Sequence, residues 1–331
     1  MVCICILLLC NQAYAQESSA AELKALEDGK AIINIVIEND KFTGTDQGYT
    51  NGIRFAWLSS EKKVPHWAQN VGNTILPFGR DGNKRISFAF GQSMYAPSDL
   101  SQSTIIQDDR PYAGWLYGSL GIVSDSGDAL DNAVLSIGVV GPPSLAEPIQ
   151  KAVHRLTDSP DPKGWNNQLD TEPTIGLTYV RKWRALFEEK PFGLATDIIP
   201  HAGATIGNVN TSATVGSTVR VGFDLPSDYG PPRIRPSLPG SDFFLPTKNL
   251  SGYLFATVEG RAIARDIFLD GNTFHSSQSV EKENFGGTIQ LGAVVTLGDA
   301  RLSYTQVMMT REFETQKETP QFGAVTLSYR F

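Results

Sequence analysis

Beyond residue 10 the 331-residue chain has no cysteine: Cys3, Cys5 and Cys10 are the full complement. The body of the protein therefore has neither a disulfide framework nor a thiol nucleophile. Long apolar runs are also missing. Outside the N-terminus no stretch of ~18 apolar residues occurs, which excludes a helical membrane protein. Charge is sparse at 19% of residues, the formal net charge is -7, and no basic run or stripe is present. Nucleic acid is not an expected partner. The zinc signature H-E-x-x-H and the serine elbow G-x-S-x-G are absent.

Alternation is what the chain does have. In the stretch from Ile33 to Trp57, Ile33, Ile35 and Ile37 alternate with Asn34, Val36 and Glu38, and Ile53, Phe55 and Trp57 alternate with Arg54 and Ala56. That period of two marks strands with two different faces. About twelve such segments lie near 32–40, 49–59, 84–94, 112–124, 131–140, 171–183, 192–206, 212–224, 251–265, 284–297, 300–311 and 321–331. Many reach ten residues or more, the length a tilted strand needs to cross a bilayer. The non-apolar phase is small or polar, as in Ser87, Ala89, Ser136, Gly138, Thr174 and Thr178, with little Lys or Glu. A mean hydropathy of -0.16 agrees with a barrel whose lumen is polar.

The two ends of the chain point the same way. Residues 1–15 read as a secretory signal peptide, an apolar segment followed by Ala13 and Ala15, with cleavage leaving Gln16 first. All three cysteines fall inside it. Residues 16–31 are a polar N-terminal leader, and 32–331 form one domain. The last strand alternates Val325, Leu327, Tyr329 and Phe331 with Thr326, Ser328 and Arg330, and stops on the aromatic. A terminal Phe on an amphipathic strand resembles the signal that outer-membrane assembly machinery recognises. The expected fold is all-β, a transmembrane antiparallel β-barrel of about twelve strands with a short helix in an external loop. Trp57, Trp115, Tyr117, Trp183, Tyr253 and Tyr304 suit interfacial aromatic girdles.

Strand parity assigns the loops. With both termini in the periplasm, 41–48, 95–111, 141–170, 207–211, 266–283 and 312–320 are external, and the periplasmic connections should be short. Two are not: 60–83 and the Pro-rich 225–250, each a candidate plug, appendage or missed strand pair. Loop 141–170 carries the helical pattern, with Leu145, Ile149, Val153 and Leu156 on one face, Ser144 at the N-cap spacing from Glu147, and His154 within it. His201 and His275 have no comparable oxygen-rich company, and His66 falls on the periplasmic side.

Parity gathers His154, the Glu38-Asn39-Asp40 end of the first strand, the Tyr49-Thr50-Asn51-Gly52 start of the second and Asp108-Asp109-Arg110 at one rim. A neutral imidazole titrates near working pH and takes a proton from water. Carboxylate and amide oxygens suit a hard cation such as Ca²⁺. Together they suit ester hydrolysis without a covalent intermediate. Asp109-Arg110 also has a structural reading, a lumen salt bridge at a strand start, and Trp165 reads as an interfacial anchor.

These motifs, with Asp109-Arg110-Pro111-Tyr112-Ala113-Gly114, Gly141-Pro142 and Lys163-Gly164-Trp165-Asn166-Asn167-Gln168, resemble those of the outer-membrane lipid A 3'-O-deacylases of Gram-negative bacteria (LpxR-like). The resemblance implies a twelve-stranded outer-membrane barrel with its active site at the extracellular rim, which takes lipopolysaccharide of the outer leaflet as substrate and hydrolyses the 3'-acyloxyacyl ester of its lipid A. It implies Ca²⁺ as cofactor and a His-activated water. By position, His154 matches the general base, Asn39 and Asp40 the Asn-Asp pair at the cation and oxyanion site, and Thr50 the threonine of strand two. Where the family carries a functional Glu six residues after the His, this chain has Pro160, leaving Asp158 or Asp161 as candidate orienting carboxylates. A family lysine has no counterpart in 98–107. A monomer is expected. Two other readings are a phospholipase A-like outer-membrane esterase and a non-catalytic pore or structural barrel.

Overall fold

A computed structural model describes residues 29–40, 48–184, 188–190, 193–230, 242–246 and 248–331. The expected signal peptide, residues 16–28 of the leader, the 41–47 tip and the 231–241 stretch lie outside the described residues. Within them, twelve long strands form one antiparallel sheet: β1 (Ile32–Asn39), β2 (Gly48–Leu58), β3 (Asn83–Ala96), β4 (Ala113–Asp125), β5 (Ala129–Val140), β6 (Glu172–Trp183), β7 (Ala195–Gly207), β8 (Asn210–Phe223), β9 (Leu250–Asp266), β10 (Phe285–Leu297), β11 (Ala300–Met309) and β12 (Gln321–Arg330). Each pairs with its sequence neighbours. The sheet closes where β1 meets β12, from Ile32 opposite Arg330 to Asn39 opposite Gly323. A two-residue strand, Glu188–Glu189, adds to the start of β7, while the rest of β7 pairs with β6. Closure leaves no unpaired long edge, which is what allows a sheet to stand in lipid.

The period-two pattern sets the two faces. Ile33, Ile37, Phe55, Phe88, Phe90, Leu120, Ile137, Ile175, Leu177, Val215, Leu254 and Val295 are exposed on the outside. Asn34, Glu38, Arg54, Ser93, Thr178, Arg220, Thr257, Gln290 and Arg301 are buried in the lumen. Phase also corrects the aromatic assignment. Trp57 and Tyr304 are exposed on the outer face, but Trp115, Tyr117 and Tyr253 occupy the inward phase of their strands and are buried. His201, expected to lack acidic company, also points inward, and its Nε2 lies 3.1 Å from Glu259.

Both mouths of the barrel are filled. At the end that carries the termini, the β8–β9 connection folds inward as a plug. Tyr229, Phe243, Phe244 and Leu245 pack on the lumen-facing Ile32, Leu58, Val123 and Leu130. Arg54 grips Asp242 through two bonds of 2.7 and 2.6 Å, and Arg220 and Arg301 both pair with Asp228. At the other end a short helix, α3 (Ile267–Asp270), caps the lumen: Phe268 stacks on Tyr95 with centroids 3.9 Å apart, beside Tyr49, Trp115, Tyr117 and Phe322. The other long connection on the terminus side behaves differently. It carries helix α1 (His66–Ile75), which packs on the outside of β3 and β4. Among the described residues neither connection contains a further strand pair.

Candidate active site on the outer wall

The β5–β6 connection begins with Gly141, whose φ of +95° favours glycine, and whose N–H donates to the Gly114 carbonyl at 3.0 Å. A Cβ at Gly141 would come within 2.8 Å of the Asp170 carbonyl. After a 3-10 turn, Pro142–Ser144, Leu145 takes a left-handed conformation (φ 60°) and caps helix α2 (Ala146–Leu156). The cap is thus Leu145 and not Ser144. Ser144 is buried against the wall, and its carbonyl accepts from Gln92 Nε2.

The face that packs on the wall is not the apolar stripe. The buried stripe is Ala146, Gln150 and His154, while Leu145, Ile149 and Leu156 are exposed, Leu156 to 87%. Gly114 explains the contact. It sits on the outward phase of β4, and a Cβ there would come within 2.1 Å of Ser144 Oγ and 2.3 Å of Ala146 Cβ. Backbone approach this close needs glycine. Met94 and Ala96, on the outward phase of β3, cluster with Ala146, Trp165, Leu100 and Tyr112. Helix α2 therefore stands on the exterior of β3 and β4, at the rim opposite the termini.

The other motif residues brace this platform. Trp165 is 1% exposed and donates from Nε1 to Gln150 Oε1 at 2.7 Å, so it is a packing residue and not an interfacial anchor. Its ring centroid lies 5.0 Å from that of Tyr112. Lys163 N donates to the Leu100 carbonyl at 2.9 Å, and Asn167 Nδ2 to the Ser103 carbonyl at 2.8 Å. Asp109 accepts from the Ser98 N–H and hydroxyl at 2.7 and 2.6 Å. Arg110 pairs not with Asp109 but with Glu312 across the mouth, and lies over the Tyr95 and Phe313 rings. Burial works against the charge on this guanidinium, but Glu312 outweighs it and holds the Arg110 pKa above its ordinary value.

His154 is 3% exposed. Its Nδ1 lies 2.6 Å from the carbonyl oxygen of Pro160. The chain turns back immediately after the helix: Asp158 is left-handed (φ 51°), and Ser159 N donates to the His154 carbonyl at 2.9 Å. That reversal delivers the residue-160 carbonyl to the ring. Asp158 and Asp161, the candidate orienting groups, are both exposed. A carbonyl only accepts, so Nδ1 carries the proton in the neutral ring and Nε2 bears the lone pair.

Asn39 ends β1 on the outward phase, opposite Asn51 of β2 on one side and Gly323 of β12 on the other. Asn51 in turn faces Met94 of β3, which belongs to the cluster beneath α2. Adjacent strands are ~4.8 Å apart, so the amide pair stands one strand from the platform's edge. Asp40, the next residue, is wholly buried. A register shift between Tyr49 and Asn51 makes Thr50 the extra residue of a bulge, with Tyr49 opposite Tyr95 in the lumen. Sequence reasoning missed Gln92 and Gln150. A signal for Gln92 existed, since it is a polar residue on the lipid-facing phase between Phe90 and Met94.

Among the described residues no three His, Cys, Asp or Glu side chains gather as a metal cluster. What Asn39 and Asp40 offer is oxygen alone, an amide and a carboxylate, which is donor chemistry fitting a hard cation that also takes carbonyls and water.

A closed cylinder of alternating strands with an apolar exterior and a polar interior defines a transmembrane β-barrel of the outer-membrane type. The chain belongs to the LpxR family: the family model described as "Outer membrane protein LpxR" matches residues 1–331. Among solved structures it is similar to LpxR from Salmonella typhimurium, with a TM-score of 0.72, 18% identity, and coverage of 91% of this chain and 100% of that one. The β-domain of the Bordetella autotransporter BrkA matches more loosely, with a TM-score of 0.44, 10% identity, and coverage of 91% of this chain and 98% of that one. Comparison with the curated proteins found no match.

Proposed function

We propose that this protein is an outer-membrane esterase that removes the 3'-acyloxyacyl group of lipid A in the outer leaflet. Family membership supports a lipid A deacylase role. The observation that carries the mechanism is the His154 ring, held through Nδ1 by the Pro160 carbonyl so that Nε2 is the basic nitrogen. It lies on the wall-facing side of a helix at the rim where Asn39 faces outward. Nε2 takes a proton from water as its oxygen attacks the ester carbonyl. The imidazolium then returns the proton to the departing sugar oxygen, releasing the fatty acid. Asn39 and Asp40 would hold Ca²⁺, with Thr50 positioning the substrate beside them; such a cation would supply Lewis-acid polarisation of the ester carbonyl. The exposed Leu145, Ile149 and Leu156 face the acyl chains of the leaflet. The C-terminal strand addresses the outer-membrane assembly machinery, and one chain contains the whole site.

Mass spectrometry of lipid A from cells with and without the protein tests the reading. The expected product lacks one acyloxyacyl group, chelator abolishes its formation and added calcium restores it. Free fatty acid arising from glycerophospholipid alone would instead favour a phospholipase-type esterase. H154A should lower conversion by roughly 10²–10⁴-fold while the heat-modifiable gel mobility of the folded barrel is kept. Full activity of H154A would sink the mechanism.

A further inference from the structure

Helix α1 has two apolar stripes and only one of them is used by the protein. Ala68, Gly72 and Leu76 fall at i, i+4 and i+8 and are buried. They lie against the wall. Val64 and Ala68 cluster with Ile86, and Leu76 clusters with Ile122 and Ala133. A Cβ on Gly72 would stand 3.1 Å from Ile122 Cγ2, so the helix backbone sits close to the strands. The neighbouring stripe, Trp67, Val71, Ile75 and then Phe78, is exposed, with Trp67 at 56% and Phe78 at 68%. Between His66 and Ile75 there is no acidic or lysine or arginine side chain. Lys63 and Arg80 stand exposed just outside its two ends, with Lys62 beside the first.

The wall beneath identifies what covers this stripe. Ile86 shares the outward phase of β3 with Phe88 and Phe90, and Ile122 shares that of β4 with Leu120, and those three neighbours are exposed on the face that meets the bilayer. Same-face neighbours along a strand are ~7 Å apart. Lipid that covers Phe88 and Leu120 therefore reaches a helix seated on Ile86 and Ile122. We infer that α1 is an interfacial helix embedded in the membrane leaflet at the terminus end, the phospholipid leaflet. Its Trp67-Val71-Ile75-Phe78 stripe lies among acyl chains, and the flanking cations lie at the level of the anionic headgroups. Trp at the interface and flanking Lys or Arg are the features of helices that lie in a bilayer without crossing it. This surface is independent of the ester chemistry and stands at the opposite rim from it.

The test compares wild type with W67F, both full-length and reconstituted in phosphatidylethanolamine–phosphatidylglycerol vesicles, with and without bromine on the acyl chains. The difference between the two proteins isolates the Trp67 emission. The expected result is loss of most of that emission in brominated vesicles, with little loss to aqueous iodide. Emission quenched by iodide and untouched by bromine would overturn the inference by placing the helix in water. Protection from both quenchers would overturn it as well, by placing a protein partner on the stripe.

Discussion

At His154 a backbone atom does the work for which a carboxylate was sought. The Pro160 carbonyl lies 2.6 Å from Nδ1, while Asp158 and Asp161 are exposed. Their neutralisation should be nearly silent. D158N and D161N are expected to keep lipid A conversion within about twofold of wild type, as surface substitutions do. A large loss in either variant, with the barrel folded, would return the orienting role to that side chain. The sequence singles out His154 as the one histidine in the helix of the 141–170 loop, and the structure buries it there. Its partner was not legible in the sequence, because a carbonyl belongs to every residue, and only the left-handed turn at Asp158 brings this one back. Thr50 shows the same limit. Alternation assigns it to the lumen phase unless a bulge at Asn51-Gly52 shifts it, and the register shift between Tyr49 and Asn51 gives that phase to Tyr49.

The elements were read more securely than the faces they bury. Strand positions follow from alternation because a sheet in lipid must show apolar residues on one side and polar ones on the other. The helix of the β5–β6 connection follows from its 3.6-residue spacing, but spacing does not say which face meets the wall. Leu145, Ile149 and Leu156 remain exposed while Gln150 and His154 are buried, because the wall is met through the small Ala146 over Gly114. The small residue under the helix is its weak point. In G114L the new side chain would meet Ser144 and Ala146, and α2 must lift from the wall. Conversion should fall by ~100-fold through misplacement of the imidazole, with heat-modifiable mobility unchanged. Activity close to wild type would mean that α2 need not touch β4.

For the whole molecule the telling feature is that described residues fill both mouths, the Tyr229-Phe243-Phe244-Leu245 plug at one and α3 at the other. Composition permits a pore equally well, since a water-filled lumen and a packed one both need polar inward residues. The Pro-rich connection was recognised as an anomaly, but its fate depended on charges far apart in sequence: Arg54 meeting Asp242, and Arg220 and Arg301 meeting Asp228. The protein should show no steady conductance in planar bilayers. R54M removes one partner of a buried pair and leaves Asp242 without its guanidinium, at a cost of ~3–5 kcal/mol. The temperature at which the folded gel band disappears should drop accordingly, and brief current steps would signal a loosened plug. An unchanged melting temperature would show that the pair adds nothing.

The first strand and the last are neighbours, and Asn39 sits on the line where they join, with Gly323 at its side. If Asn39 serves the reaction as proposed, one of the two strands beside it is the one that closes the cylinder, so loosening the β1–β12 seam would reach the site before it reached any other part of the wall.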